Sequence, residues 1–225
     1  AWVSRRPDDM HGHLIAARAR TLNQEPAKAL VHLERAIAIA PDSIAPRAML
    51  ARFYEHEKRD AEAEKAWAEA VARFPRQNGL VFDLAACRER IGDLAGAEAA
   101  VRDVLQREPN NPTALNFLGY LWADHGRHLD EAVEMIARAL AQDPDNGAYI
   151  DSLGWAYYRL GRLSEARVQL ERAVRLTRGD AVVLEHLGDV YNDLRLKDLA
   201  KEQYRQSLAA NPGNPRVRAK LDALR

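Results

Sequence analysis

Apolar and small residues recur with helical spacing in the stretch 147–180, in two runs separated by the segment "LGRL". The first run consists of Ile150, Leu153, Gly154 and Tyr157, and the second of Ala166, Leu170, Ala173 and Val174. Spacings of three, four and seven residues place each run on one side of a helix. Gly154 and Ala166 are small enough to allow two helix backbones to approach closely. The pattern therefore predicts a pair of packed α-helices joined by a short turn.

Two markers show that this helix pair is repeated along the chain. Proline recurs every 34 residues at Pro7, Pro41, Pro75 and Pro109, then after 35 residues at Pro144, and again at Pro212. Alanine followed four residues later by a larger apolar residue keeps the same period, from Ala29/Leu33 to Ala200/Tyr204. Both markers slip by one residue at the same place, which is strong evidence for a repeat.

The repeat resembles the tetratricopeptide repeat, a helix–turn–helix of 34 residues whose marks are W-x2-L-G-x2-Y, A-x3-F and P. In the last repeat the corresponding residues are Leu184, Leu187, Gly188, Tyr191, Ala200, Tyr204 and Pro212. In the fourth they are Leu115, Leu118, Gly119, Trp122, Ala132, Ile136 and Pro144. The resemblance implies an all-α fold, a right-handed superhelical solenoid of such pairs.

The period predicts six repeats, at residues 10–43, 44–77, 78–111, 112–146, 147–180 and 181–214. Residues 1–9 are expected to be the tail of a preceding repeat, and residues 215–225 a capping helix. A chain that begins within a repeat suggests a fragment of a longer protein, and a natural irregular cap is the alternative.

The segment "LGYLWADHGRHLDEA" concentrates ionisable residues, with His125 and His128 near three carboxylates. Its place in the period predicts a turn with a one-residue insertion, which favours exposed turn histidines over a metal site. His11 and His13 are expected to be exposed as well, and Cys87 to be a buried, inert thiol. No catalytic motif is present. The sequence thus predicts no enzyme, no cofactor and no metal.

Net charge is zero among the 225 residues, which argues against a nucleic-acid partner. No apolar run approaches the length of a membrane span. The expected partner is a protein or peptide, and the resemblance implies that the first helices line the concave face that binds it. Candidate binding residues on that face are Arg18, Arg52, Asn116, Tyr120, Asp151, Trp155, Tyr158, Glu185, Asp189 and Asn192. Asn116 and Asp151 are candidates to hold a peptide backbone, and Tyr120 and Trp155 to hold an apolar anchor.

This stripe is basic in repeats one to three and acidic in repeats four to six, and a solvated face without a partner is an equal explanation. Its aromatic residues either form a ligand platform or wedge between neighbouring helices. The expected function is a protein-interaction scaffold, with self-assembly into oligomers as the alternative. A finer likeness of repeats four to six to bacterial envelope proteins, including outer-membrane lipoproteins that act as adaptors, favours a periplasmic or outer-membrane-associated location over the cytoplasm.

Overall fold

The computed structural model describes residues 7–224, and within that range it contains thirteen α-helices and no β-strand. In chain order they are α1 (Met10–Leu22), α2 (Pro26–Ile39), α3 (Ile44–His56), α4 (Asp60–Arg73), α5 (Asn78–Arg90), α6 (Leu94–Arg107), α7 (Pro112–Asp124), α8 (Leu129–Leu140), α9 (Gly147–Arg159), α10 (Leu163–Leu176), α11 (Ala181–Asp193), α12 (Lys197–Ala210) and α13 (Pro215–Asp222). The all-α prediction is confirmed. The tail expected at residues 1–9 falls mostly on residues 1–6, which lie outside the described residues.

The turns inside the helix pairs follow the period of the sequence. Five of them contain three residues, and the turn between α7 and α8 contains four, residues 125–128. The second residue of every turn has a positive φ, and these residues are Gln24, Lys58, Gly92, Gly126, Gly161 and Arg195. In the longer turn His128 also has a positive φ, of 47°. The inserted residue is therefore accommodated by a second left-handed position before α8 begins.

Small residues hold the two helices of a pair together. Ala63, Ala132 and Ala166 are completely buried where the second helix meets the first. Gly154 lies so close to α10 that a Cβ atom added to it would be 2.6 Å from Cγ of Leu170. A larger residue at this position would push the helices apart.

The chain divides into two compact units, an N-terminal unit (Ala1–Val104) and a C-terminal unit (Leu105–Arg225). In the N-terminal unit, Leu33 and Phe53 are buried in one cluster and Trp67 is buried in a second, among alanines, leucines and Cys87. In the C-terminal unit, Leu170 and Tyr204 belong to a cluster that also contains Val217 of α13. One side of the first helix therefore packs against the second helix of its pair, and the other side of the first helix forms a surface.

Side-chain caps mark the starts of the first helices in the C-terminal unit. In the C-terminal unit the side chains of Asn111, Asn146, Asp180 and Asn214 accept hydrogen bonds from backbone N–H groups in the first turns of α7, α9, α11 and α13. These caps fix the beginning of each first helix. Within residues 7–224, none of the helices has the length and hydropathy needed to cross a membrane.

Candidate functional site

Three positions of each first helix, four residues apart, form the surface that the sequence singled out; here it is called the first-helix face. In repeats one and two these positions carry Leu14, Arg18 and Leu22, then Ala48, Arg52 and His56. In repeats four to six they carry Asn116, Tyr120 and Asp124, then Asp151, Trp155 and Arg159, then Glu185, Asp189 and Asp193. These positions line an apolar cleft in the N-terminal unit and make polar contacts with one another in the C-terminal unit.

In the N-terminal unit the first-helix face opens into a cleft of about 490 Å³ between α1 and α3. We call it the apolar cleft, because most of its wall is hydrocarbon. Its lining residues are Leu14, Ala17, Arg18, Thr21, Leu22, Leu33, Ala45, Ala48, Met49, Arg52, Phe53 and His56. Leu22 is 75% exposed at its edge. An open apolar cleft with a few polar groups is the usual form of a ligand site.

Among residues 7–224, the ionisable residues that line the apolar cleft are Arg18, Arg52 and His56, and all three are basic. Arg18 is exposed and has no ion-pair partner among residues 7–224. The guanidinium of Arg52 lies 3.3 Å from the carboxylate of Asp83; the Arg52 side chain is largely exposed, and that of Asp83 is about half-buried. Nδ1 of His56 lies 3.0 Å from Oε1 of Glu57, outside the lining. The cleft therefore combines an apolar floor with a positive rim.

In the C-terminal unit the first-helix face is closed by polar contacts between successive first helices, which we call the polar ladder. Nδ1 of His186 on α11 lies 2.9 Å from Oδ1 of Asp151 on α9. The hydroxyl of Tyr158 donates to Oδ2 of Asp193 at 2.9 Å. Burial and the Asp193 carboxylate both raise the pKa of Tyr158 far above its usual range, so its proton stays in this hydrogen bond.

Trp155 is the central ring of the polar ladder. Its indole N–H donates to Oδ1 of Asp124 at 3.0 Å. One face of the ring stacks on His186, with centroids 4.1 Å apart and planes 16° from parallel, and Tyr158 stacks at 4.9 Å. Arg159 adds a hydrogen bond to the carbonyl oxygen of Asp124. Trp155 is thus half-buried between three first helices.

The acidic residues of repeat six are neutralised by α13. Glu185 is 1% exposed, and its carboxylate contacts Lys220 at 2.7 Å and Arg216 at 2.9 Å. Lys220 also reaches Asp189 at 2.6 Å, and the hydroxyl of Tyr204 donates to Asp189 at 2.7 Å. Burial raises the pKa of Glu185, but the two cations outweigh it and hold that pKa below its usual range. The acidic half of the stripe is therefore largely paired within the C-terminal unit.

The remaining predicted site residues border small openings in this surface. Tyr120 lines a cleft of about 90 Å³ together with Trp155, His186 and Arg216. Asn192 borders a separate cleft of about 430 Å³ near Arg195 and the end of α13. The side-chain oxygen of Asn116 is buried and has no hydrogen-bond partner among residues 7–224. Such an unsatisfied acceptor is costly, but because it is shielded from solvent a partner's donor would reach it only if the side chain rotated.

Sequence reasoning missed the partners that close the ladder, namely His186, Tyr204, Arg216 and Lys220. His186, Arg216 and Lys220 are separated from their partners by 35 or 31 residues, in the pairs Asp151–His186, Glu185–Arg216 and Glu185–Lys220. These spacings equal one 34-residue repeat plus one residue or minus three, and they connect neighbouring positions on successive helices. A search at these offsets would have suggested these three partners, whereas Tyr204 lies on α12 only 15 residues after Asp189 and follows no such spacing.

The histidines fall into two classes. His125 and His128 are exposed in the turn, as predicted, and the ring of His128 lies 4.9 Å from that of Trp122. The expectation that His13 is exposed is wrong, because it is only 6% exposed. Its Nε2 is 3.1 Å from the carbonyl oxygen of Pro7, and its Nδ1 is 3.0 Å from Nδ1 of His32. His13 occupies the packing position that Leu115 and Leu184 fill in other repeats, so the period itself indicated burial.

The single cysteine lies in the core of the N-terminal unit. Cys87 is 1% exposed and belongs to the cluster around Trp67. Burial raises the pKa of its thiol in spite of the nearby guanidinium of Arg90. The prediction of a buried thiol is confirmed, and a thiol kept protonated is a weak nucleophile.

Comparisons with known proteins agree with the repeat pattern. Family models described as tetratricopeptide repeat match residues 21–87 and 125–185, residues 82–147, and residues 181–214. The chain is 38% identical over 131 residues to the TPR repeat-containing protein PA4667 of Pseudomonas aeruginosa, which is 57% of this chain and 22% of that protein. It is 26% identical over 152 residues to the BBSome complex member bbs-4 of Caenorhabditis elegans, 64% of this chain and 31% of that protein. It thus spans about a fifth to a third of these relatives.

Two solved structures share the fold at low sequence identity. The APC/C hetero-tetramer Cut9–Hcn1 aligns with a TM-score of 0.75 and 19% identity, covering 99% of this chain and 44% of that one. PilW, a type IV pilus biogenesis factor, aligns with a TM-score of 0.70 and 18% identity, covering 94% of this chain and 98% of that one. Repeats of this kind make a protein-interaction scaffold. The helix pairs, their period and the matching family models show that the chain belongs to the tetratricopeptide repeat family.

Proposed function

We propose that this scaffold is non-enzymatic and binds a peptide segment or a partner's surface on its first-helix face. The observation that carries the proposal is the apolar cleft, about 490 Å³ of largely hydrocarbon-lined space that opens on this face beside two arginines. Burying such a surface under a partner removes apolar area from water, which is the main favourable term in association.

We infer that the predicted site residues divide into two roles. Arg18, Arg52, Tyr120 and Asn192 border clefts on the first-helix face, where a partner's side chains reach them. Asp151, Glu185 and Asp189 hold neighbouring helices in place, because their carboxylates are already paired with His186, Lys220 and Tyr204. Trp155 and Tyr158 offer a platform only through the edges that the ladder leaves uncovered, and Asn116 would contact a partner through its side-chain oxygen only after the side chain rotates, because that oxygen is buried.

Peptide display on the purified chain tests this proposal. Selected peptides would carry a photoactivatable cross-linker, and mass spectrometry would locate the residues that they label. We expect labels on first helices such as α1, α3, α7 and α9, and competition between a selected peptide and its unlabelled form. Labels confined to the second helices α2, α4, α8 and α10 would refute the proposed binding face.

We also propose that the chain acts as an adaptor in the bacterial cell envelope. Supporting this are the 38% identity to a Pseudomonas aeruginosa repeat protein and the structural likeness to a type IV pilus biogenesis factor. Fractionation of cells that express the full-length protein with an epitope tag tests the location. Recovery with cytoplasmic markers alone would contradict it.

Self-assembly is the second candidate function. The observation that favours it is a pair of large apolar side chains on the first helix pair, Ile15 on α1 and Val31 on α2, which are 71% and 63% exposed. Light scattering at two salt concentrations tests it, and Ile15→Lys should return an oligomer to the monomer. A monomeric mass at every protein and salt concentration would exclude this alternative.

A further inference from the structure

We infer that the apolar cleft receives one bulky apolar side chain from a peptide segment whose neighbouring residues carry carboxylates. This inference rests on the proposed function and names the chemistry of the partner at that surface. It concerns the N-terminal unit alone.

The volume of the cleft fits a side chain with its flanking backbone. At about 490 Å³ it falls within the range of roughly 300–1,000 Å³ that is usual for ligand pockets. Leu14, Met49 and Phe53 form its floor, and the flexible thioether of Met49 adapts to anchors of different shape. Leu22 at the edge would be covered by the peptide next to the anchor. Apolar contact therefore selects an aromatic or branched aliphatic residue.

The rim selects the charge of the neighbouring residues. Arg18 on α1 and Arg52 on α3 lie on the two sides of the cleft, and His56 is on the same helix as Arg52. None of the described residues that line the cleft is acidic. Asp83 partly neutralises Arg52 at 3.3 Å, and Glu57 contacts His56, so Arg18 is the cation without a partner among residues 7–224. A carboxylate near the anchor would complete an ion pair with Arg18, and a lysine there would be repelled.

Defined peptides test this chemistry by fluorescence anisotropy. The first peptide has a central phenylalanine with aspartates on both sides, the second replaces the phenylalanine by alanine, and the third replaces the aspartates by lysines. We expect the first to bind and each of the others to bind at least about tenfold more weakly. Affinity for the first should fall as sodium chloride rises from about 50 to about 500 mM, because added salt screens the ion pair.

Variants locate the bound peptide. Ala45 is exposed and lines the cleft, so Ala45→Trp should block it and weaken binding at least about tenfold without disturbing the core. Ala148 occupies the same repeat position in α9 and is also exposed, so Ala148→Trp is the matched control and should leave affinity unchanged. Arg18→Glu should weaken binding to a similar extent, and Arg175→Glu on α10 controls for the change in net charge.

Three results would overturn the inference. They are no binding of the first peptide at about 1 mM, equal binding of the lysine peptide, and an affinity that Ala45→Trp leaves unchanged. Tighter binding of a free fatty acid that displaces the peptide would also overturn it, since the cleft would then be a site for a small amphiphile. None of these results decides the proposed function, because display peptides that label α7, α9 or α11 would sustain the binding face without this cleft.

Discussion

Replacing Trp155 by alanine should cost less free energy of unfolding than replacing Trp67, and the structure gives the size of each effect. Trp67 is 1% exposed and fills the space between small side chains such as Ala63 and Ala70. Its truncation would leave a cavity that alanines cannot close. Loss of a tryptophan side chain from a core costs about 3–5 kcal/mol.

Trp155 is only half-buried, and its contacts are a hydrogen bond and two stacked rings. Its removal would delete the hydrogen bond to Asp124, worth about 0.5–1.5 kcal/mol, and the stacks on His186 and Tyr158, each worth about 0.5–1.5 kcal/mol. The Asp124 carboxylate, which is partly exposed, would regain water. The expected cost is therefore about 1.5–4.5 kcal/mol, with a midpoint of about 3 kcal/mol, below the midpoint of about 4 kcal/mol for Trp67→Ala.

Urea denaturation followed by circular dichroism measures both variants. Trp122 of α7 is buried in the same compact unit as Trp155, so Trp122→Ala is the control for differences between the units and should cost about as much as Trp67→Ala. If Trp155→Ala destabilises the protein as much as these two, its ring belongs to the core. It would then be unable to serve as a platform for a partner.

Three further predictions follow from packing and titration. Gly154→Leu should lower the melting temperature, because its Cβ would lie 2.6 Å from Leu170 and overpacking costs about 1–3 kcal/mol. Gly79→Leu is the control, since a Cβ there would have no described atom within 4 Å, and equal melting curves for the two variants would contradict the assigned packing. The pKa of Glu185 is lower in the folded protein than its usual value, so its ion pairs stabilise the fold above about pH 4.3, and this contribution is lost as pH falls through the folded pKa. The difference in free energy of unfolding between wild type and Glu185→Gln, measured by urea titration, should therefore shrink on acidification. A constant difference would contradict this pairing. Burial, together with the charges of His13 and Arg20, lowers the pKa of His32. The wild type should therefore lose stability as pH falls below about 6.5. If the histidine is the cause, His32→Gln should lose less stability over the same pH range.

The helices and their order could be predicted because the signal is repeated. Six copies of the alanine and proline markers average out the variation of any one copy, and the single 35-residue step indicated the extra residue that appears at 125–128. The turn backbone could have been predicted in the same way. Gln24, Lys58 and Arg195 share the position of Gly92 and Gly161, and all five have positive φ. Residue type alone would not suggest this for glutamine, lysine or arginine.

The contacts of the site could be predicted only in part. Helical spacing identifies which residues share a face, and it placed Arg18 and Arg52 on the face where the structure has the apolar cleft. It does not identify which charges are paired, because pairing depends on the residue opposite on the next helix. From the sequence, Asp151 and Glu185 are therefore interpreted as acidic groups available to a partner, although each is buried and paired with a basic side chain.

The same repeat position explains why one unit offers a cleft and the other a ladder. Arg18 and Arg52 occupy the position that carries Tyr120, Trp155 and Asp189 in the C-terminal unit. In the N-terminal unit both arginines are exposed, and the space between α1 and α3 is unfilled. Flat rings and paired charges at the same position fill that space in the C-terminal unit. The residue at this position therefore sets what each part of the first-helix face offers to a partner, while the neighbouring small residues Ala17, Gly119 and Gly154 maintain the close packing inside the helix pair.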